Sequence, residues 1–555
     1  GLHSFSTSFR NHEALYRYAF EDCSGLTSVI IPEGVTIIED GTFSKCVNIT
    51  NINIPKDVTS IGSCAFLACK SLTSLDIPSK VTNIGSNAFC GCDGFTNITI
   101  PSNVIGIGDY AFFRCRGLYK VTIMEGVTKI GNYAFSECPS LTSVTIPSSV
   151  SSILNYAFAN CTSLSNITIP EGVTFIGTSA FNSTNISNIA IPSSATFIGA
   201  YAFNNCKSLT RLTIQEGVRT IENGAFFGCS KLTDVTIPSS VTDVGSAVFG
   251  NTAWYNQLPD GIIYLCNWLI GYKGEEPSGE LIIKTCTKGI ASYALSKCTN
   301  LASVEIPEGL TFISTRAFSG CTGLNSVILS AKLERYGLPV FEGCTGLTSV
   351  TISSSFVPQI FKGMPSIQKV LLSNSVIQIA GEAFAGCTGL TSVIIPDGVK
   401  EISYRAFENC TGLSSVIIPS SITSIGSRAF SGCTNLTSVT SMVEKPHRIS
   451  DNTFHWSAVL YVPKGTKDIY EATPYWNLFQ KIIEQDKRPK GDVNGDQTVD
   501  VADIANVISV MASDATLGSV AHYADVNGDG TVDVADIATI ISEMAARARR
   551  LKIED

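Results

Sequence analysis

Two runs of oxygen-bearing side chains carry the most specific chemistry in this sequence. Asp492-Val-Asn494-Gly-Asp496-Gln-Thr498-Val-Asp500-Val-Ala-Asp503 spans twelve residues. It recurs downstream as Asp525-Val-Asn527-Gly-Asp529-Gly-Thr531-Val-Asp533-Val-Ala-Asp536. Oxygen donors stand at loop positions 1, 3, 5, 9 and 12, and position 7 (Thr498, Thr531) offers its backbone carbonyl. A hard divalent cation with six or seven oxygen ligands needs such a set. The expectation is two calcium ions, one per loop. Gly530 gives the second loop its sharp turn at position 6, whereas Gln497 must make the same turn with a side chain. The first site is therefore expected to be the weaker.

No other pattern points to catalysis. There is no Ser/His/Asp constellation, phosphate loop or paired-carboxylate motif, and the histidines (His3, His12, His447, His455, His522) lie mostly outside the repeated part of the chain. The 19 cysteines are numerous enough for metal or redox chemistry, but their spacing argues against both. No Cys-x-x-Cys occurs, and zinc sites need paired ligands at short spacing. Instead cysteine falls at one fixed, long interval, at Cys23, Cys46, Cys69, Cys92, Cys115, Cys138 and Cys161. The series resumes at Cys206 and Cys229, at Cys298, Cys321 and Cys344, and at Cys387, Cys410 and Cys433, with Thr184 and Met364 in place of missing members. A buried ladder is expected, in which small side chains bond the backbone turning at one corner. Cys64, Cys90, Cys266 and Cys286 fall outside the series. They are the better candidates for a bridge or a reactive thiol, although burial is the simpler expectation for them too.

A fixed period of this kind belongs to a stacked repeat. One unit runs from Cys138 through Leu141, Val144, Ile146 and Pro147 to Val150, Ile153, Ala157, Phe158 and Cys161. Its first part alternates like a half-buried strand, and proline ends that strand because it cannot donate to a ladder. A second short apolar pair follows, then a tight turn that carries Ala157 and Phe158 inward. No segment is long enough for a stable helix, and one unit cannot bury its apolar side alone, so neighbours must stack. The outward strand positions, from Ser28/Ile30 through Asn97/Thr99 to Ser438/Thr440, predict a Ser/Thr/Asn-rich, nearly uncharged face. Trp254, Tyr255, Tyr264, Trp268 and Tyr272 form a separate aromatic cluster, read as a small local core or a binding patch.

The pattern Leu-x-x-Val-x-Ile-Pro-x-x-Val-x-x-Ile-x-x-x-Ala-Phe-x-x-Cys resembles the BspA-type leucine-rich repeat over about residues 13–440. Residues 254–272 resemble a hairpin-like insertion within such arrays. The segment 459–483, with Tyr461, Pro463 and Trp476, is similar to a closing cap. The resemblance implies a bacterial surface protein linked to adhesion and host interaction. The duplicated acidic loops each feed an amphipathic helix (Ile504, Val507, Ile508, Met511; Ile537, Ile540, Ile541, Met544). No helix precedes either loop, unlike a full EF-hand. This pair resembles a type I dockerin over residues 491–546, which implies calcium-dependent docking onto a cohesin domain. Partner choice in that family is read at loop positions 10 and 11, here Val501-Ala502 and Val534-Ala535. These apolar pairs favour a more apolar partner than a cellulosomal cohesin. Either a cohesin-like protein or the array's own cap fits.

The expected fold is thus a leucine-rich repeat solenoid, mostly β with short turns and 3-10 segments, followed by a small all-α calcium-binding domain. Residues 1–484 form the array, with an insertion at about 253–280 and a cap at about 441–484. Residues 485–490 are a linker, 491–546 the calcium module and 547–555 a tail. The formal charge of -9 is concentrated in the segment 491–555, where twelve acids face four bases. That leaves no basic footprint for nucleic acid. No apolar run is long enough to span a membrane. The chain opens on Gly1 rather than Met, which reads as a trimmed sequence with its signal peptide removed. An extracellular or surface location is expected. The leading functional expectation is a non-catalytic binding scaffold whose array engages a host protein or glycan and whose tail docks; the alternative is a structural spacer.

Overall fold

The computed structural model describes residues 14–485, 499, 501, 504, 505, 507, 526 and 534–551. It divides into two compact units, one formed by residues up to Lys273 with Gly289–Ala294, the other by Gly274–Lys288 with Leu295 onward.

In the first unit most coils carry two parallel strands and a turn, the coils around Leu75 and Ile167 lacking the longer strand. Eleven two-residue strands, from Ala14–Leu15 to Asp243–Val244, pair in coil order into one sheet. The second apolar pair of the repeat therefore makes the continuous ladder here. The longer strands form three separate groups, among them Asn97–Ile100, Lys120–Ile123 and Ser143–Thr145. The sequence period sets the register: Lys129 pairs with Ser152, and Ile130 with Ile153. Leu141, Val150, Ile153, Ala157, Phe158 and Cys161 are fully buried, as their inward places require.

The turn supplies a third ladder. Phe158 N–H donates to the Ala180 carbonyl and Asn160 N–H to that of Asn182, both at 2.8 Å. Aiming these groups along the stack puts two residues of the coil in the left-handed region, Tyr156 at φ 58 and Asn160 at φ 61. That conformation costs about 1–2 kcal/mol per non-glycine residue. It persists because the N–H groups it directs are satisfied by the next coil. Where Gly224 takes the first of these places, a Cβ would lie 2.5 Å from the Tyr201 ring, so the glycine makes room for a flat tyrosine on the preceding coil. Inside the turn, the phenylalanine rings from Phe20 to Phe249 stack at 5.1–5.5 Å between centroids.

The first unit closes on a short helix, Ala253–Gln257, capped by the Thr252 hydroxyl, and on an antiparallel hairpin of Gly261–Leu265 with Trp268–Lys273. In the second unit the long strands are the continuous ones: ten of them, from Gly279–Ile282 to Lys481–Gln485, form a single parallel sheet. Gly279–Ile282 pairs with Leu301–Ile306, so residues expected near the end of the insertion already belong to the repeat sheet. The final coils are sealed by Val459–Pro463, the helix Lys467–Ala472, the 3-10 turn Trp476–Leu478 and the last strand. Buried Tyr470 donates its hydroxyl to the Val443 carbonyl at 2.7 Å, and Trp476 Nε1 donates to the His447 carbonyl at 2.9 Å. Among the described residues, no helix is long and apolar enough to cross a membrane.

Candidate binding faces and candidate calcium module

The outer face of the long strands alternates as expected: Asn97 and Thr99 are exposed while Ile98 and Ile100 are buried. The face is not uniform. The column held by Thr99, Thr122 and Thr145 in the first unit reads Glu305, Ile328, Thr351, Leu371, Ile394, Ile417 and Thr440 in the second, four of the seven apolar. The polar reading therefore holds over most of the first unit, where Ile30 is an exposed exception, and fails over much of the second. Part of the hydroxyl supply beside the strands is also committed. Thr50, Thr142, Thr210 and Thr437 each donate to the carbonyl of the preceding coil at 3.1–3.2 Å. Carboxylates are tied across coils in the same way. Glu125 accepts from Ser148 N–H at 3.0 Å and Ser149 N–H at 3.1 Å, which holds its carboxyl below the usual range.

The periodic cysteines form the expected ladder. Cys69, Cys92, Cys115, Cys138 and Cys161 each donate Sγ to the phenylalanine carbonyl of the preceding coil at 3.1–3.2 Å. Thr184 occupies the same position but turns its hydroxyl to its own coil, donating to the Phe181 carbonyl at 2.9 Å and lying 3.1 Å from Cys206 Sγ. Burial pushes the Cys92, Cys115 and Cys138 thiols well above their ordinary range, and that of Cys161 up to about 12. These thiols are kept protonated and act as donors. The expectation of burial fails for the others: Cys266 and Cys286 are exposed, Cys64 and Cys90 half-buried, and the first member of the ladder, Cys23, is exposed. None of the 19 cysteines is in a disulfide.

The aromatic cluster of the insertion is a local core. Trp268 is buried and donates Nε1 to the Val241 carbonyl at 3.1 Å. Tyr255 donates to the Tyr272 carbonyl at 2.8 Å, and Trp254 packs edge-on against Phe249. A different aromatic arrangement was not anticipated. Tyr110, Tyr133 and Tyr156 stack at 4.5–4.6 Å on successive left-handed turn residues. The recurring Tyr-Ala-Phe triplet was its signal in the sequence.

Of the twelve candidate calcium ligands, Asp536 lies among the described residues, fully buried in the first turn of the helix Val534–Leu551. Asp492, Asn494, Asp496, Thr498, Asp500, Asp503, Asp525, Asn527, Asp529, Thr531 and Asp533 lie outside them. Of the four partner-facing residues, Val501, Val534 and Ala535 are exposed, and Ala502 lies outside the described residues. Val499, Val507, Val526 and Ile540 make a small core, with Ile504, Ile537 and Met544 packed against it. Ile541 departs from the expected apolar face and is exposed, while Ile508 and Met511 lie outside the described residues.

Residues 13–142, 128–254, 277–359 and 355–472 match the profile described as the BspA type leucine rich repeat region (6 copies). The chain belongs to this family. Residues 490–545 match the dockerin type I domain. BspA-type arrays and dockerins are in general binding and docking parts rather than catalysts. Dockerin type I domains are calcium-binding modules whose partner is a cohesin-type protein. Comparison with curated proteins finds no significant match. Among solved structures, a leucine-rich repeat protein from Bacteroides ovatus is 30% identical, covers 70% of this chain and 92% of its own, and superimposes with a TM-score of 0.36. One from Eubacterium ventriosum is 25% identical over 61% of this chain and 83% of its own, with a TM-score of 0.32. A leucine rich cell surface protein from Faecalibacterium prausnitzii is 24% identical over 81% of this chain and 82% of its own, with a TM-score of 0.22. Membership of the BspA-type family rests on the repeat match and not on these superpositions. The family points to the cell surface or the extracellular space.

Proposed function

We propose that this chain is a non-catalytic, surface-displayed bacterial binding protein. Residues 1–484 form its array, with the insertion at about 253–280 and the cap at about 441–484, and engage a host protein or glycan through the outer face of the long strands. Residues 491–546, after the linker 485–490 and before the tail 547–555, dock onto a cohesin-type partner or onto the array's own cap. The observation that carries this reading is the pairing of a BspA-type array with a dockerin type I match in one chain. Two calcium ions hold the module. One sits among Asp492, Asn494, Asp496, Thr498, Asp500 and Asp503, the other among Asp525, Asn527, Asp529, Thr531, Asp533 and Asp536. The burial of Asp536 supports the metal reading, because a carboxylate withdrawn from water is stabilised by a cation. The exposure of Val501 and Val534 supports an apolar docking face, with Ala502 and Ala535 beside them. Bound calcium supplies charge neutralisation and folding energy to so small a core. Isothermal titration of the full chain is expected to give two calcium ions. Pull-down on cohesin domains should require calcium, while binding in glycan and host-protein panels should not. A chain that takes up no calcium contradicts the docking assignment. One observation favours a spacer instead: the Thr hydroxyls beside the strands are already spent on backbone carbonyls. Silence across wide glycan and host-protein panels would favour that reading.

A further inference from the structure

Before the last coil meets the cap, the coil-to-coil bonding of the second unit is interrupted beside Phe341. Phe318 N–H donates to the Val340 carbonyl at 3.2 Å and Gly320 N–H to that of Glu342 at 2.7 Å. One coil later, among the described residues, neither Phe341 N–H nor Gly343 N–H donates to the coil that follows. The pattern resumes with Gly363 N–H on the Ala385 carbonyl at 2.7 Å. The thiol ladder is interrupted at the same point. Cys344 donates to Phe318 and Cys387 to Phe361, but Met364 stands where a thiol would reach the Phe341 carbonyl.

The cause is chain length. The path from Phe341 to Phe361 is three residues shorter than that from Phe318 to Phe341, and the 3-10 segment Gln359–Phe361 replaces the first left-handed turn position while Gly363 keeps the second at φ 72. The ring stack widens there, to 5.6 Å between Phe341 and Phe361 and 5.9 Å between Phe361 and Phe384. A cavity of about 560 Å³ opens on the gap, walled by Pro339, Phe341, Ile360 and Met364. That volume lies within the range of small-ligand sites, roughly 300–1,000 Å³. Two ionic groups also line it, but both are engaged: Glu342 pairs with Arg316 at 2.5 Å, and Lys362 with Glu382 at 2.8 Å. Thr345 and Ser366 also line the cavity, the Ser366 hydroxyl lying 3.5 Å from the Cys344 carbonyl, and two backbone donors two residues apart stand beside the apolar wall. In the coils before and after, such donors are met by peptide carbonyls of the neighbouring coil.

We infer that this cavity binds an apolar residue of an extended peptide segment. The side chain fills the wall of Pro339, Phe341, Ile360 and Met364, and the peptide's own carbonyl oxygens accept from Phe341 and Gly343 N–H. Main-chain bonds thus supply affinity and the side-chain pocket supplies selectivity, as in other strand-like peptide sites.

The test uses the full chain and saturation-transfer NMR with two probes, N-acetyl-leucine amide and N-acetyl-glycine amide. Saturable binding of the leucine probe is expected, tighter than the glycine probe by more than about tenfold, the scale set by a small apolar side chain in a fitted pocket. Thr345→Trp and Ser366→Tyr, two independent ways of filling the cavity, should each weaken the leucine probe by about tenfold or more while circular dichroism stays that of the wild type. If one variant fails to fold, the other carries the test. Equal binding of both probes, unchanged binding in the folded variants, or no saturable binding at all overturns the inference; the last means a hydrated notch only.

Discussion

Truncating Phe135 to alanine removes one ring from the middle of the first unit's stack. Phe135 is fully buried, 5.1 Å from Phe112 at an interplanar angle of 3° and 5.4 Å from Phe158 at 4°. A buried Phe→Ala change costs about 3–5 kcal/mol through lost transfer energy and the cavity left behind. Each ring contact adds about 0.5–1.5 kcal/mol, which places this site near the upper end, at about 5 kcal/mol. The loss should be local, because each coil of a stacked repeat touches only its neighbours. The bonds that open are Phe112 N–H to the Ala134 carbonyl and Phe135 N–H to the Ala157 carbonyl, both 2.8 Å. Hydrogen exchange followed by mass spectrometry should show these amides exchanging faster by roughly three to four orders of magnitude, since about 1.4 kcal/mol is tenfold. The Phe43 amide, bonded to the Ala65 carbonyl, should barely change. Acceleration below about tenfold near residue 135, or equal acceleration at Phe43, would refute the account of a locally coupled ring ladder.

Other outcomes follow from the same geometry. Burial holds the His447 pKa below its ordinary 6.5, so the folded cap keeps the ring neutral while the unfolded chain takes up a proton as pH falls through that value. Stability should be full above about pH 6.5 and decline below it, and His447→Gln should flatten the fall in Tm between pH 7.5 and 5. Brief iodoacetamide treatment should label Cys23, Cys266 and Cys286 and spare the buried ladder cysteines from Cys46 onward until the chain unfolds; early labelling of Cys115 or Cys138 contradicts their protonated, buried state. Trp476→Phe keeps the ring but deletes its bond to the His447 carbonyl, and should cost about 0.5–1.5 kcal/mol in urea unfolding of the cap, or more if that carbonyl stays buried and unpaired. Asp536→Asn should lower the calcium stoichiometry or affinity of the second loop, read by titration, while leaving the circular dichroism of the repeats unchanged.

The repeat was legible because stacking forces every coil to bury the same positions. Leu141, Val150, Ile153, Ala157 and Phe158 could be placed inward from their spacing, and the structure buries each of them. The cysteine ladder could be read for the same reason: a small residue recurring at one corner once per coil must meet the same backbone each time. The exposed Cys266 and Cys286 were misjudged because they stand outside the period. There the hydropathy of the residue was the sole guide, and the hairpin that turns Cys266 outward, at φ 51, is not written in it. The mostly apolar column that holds Ile328, Leu371, Ile394 and Ile417 was visible residue by residue. It becomes a column only once registry aligns the strands, as between Ile394 and Ile417.

The sequence by itself determined the period, the inward set, the alternation of the long strands and the duplicated acidic loops. All of these repeat within one chain segment and need no knowledge of what lies beside it. The tertiary structure decided which strand row runs unbroken in each unit, why Tyr156 and Asn160 tolerate left-handed backbone, and where the ladder opens beside Phe341. Each of these depends on a hydrogen bond made or missed with the adjacent coil. A coil three residues short looks like a small deletion in the sequence, and becomes a cavity only when its neighbours keep their own length.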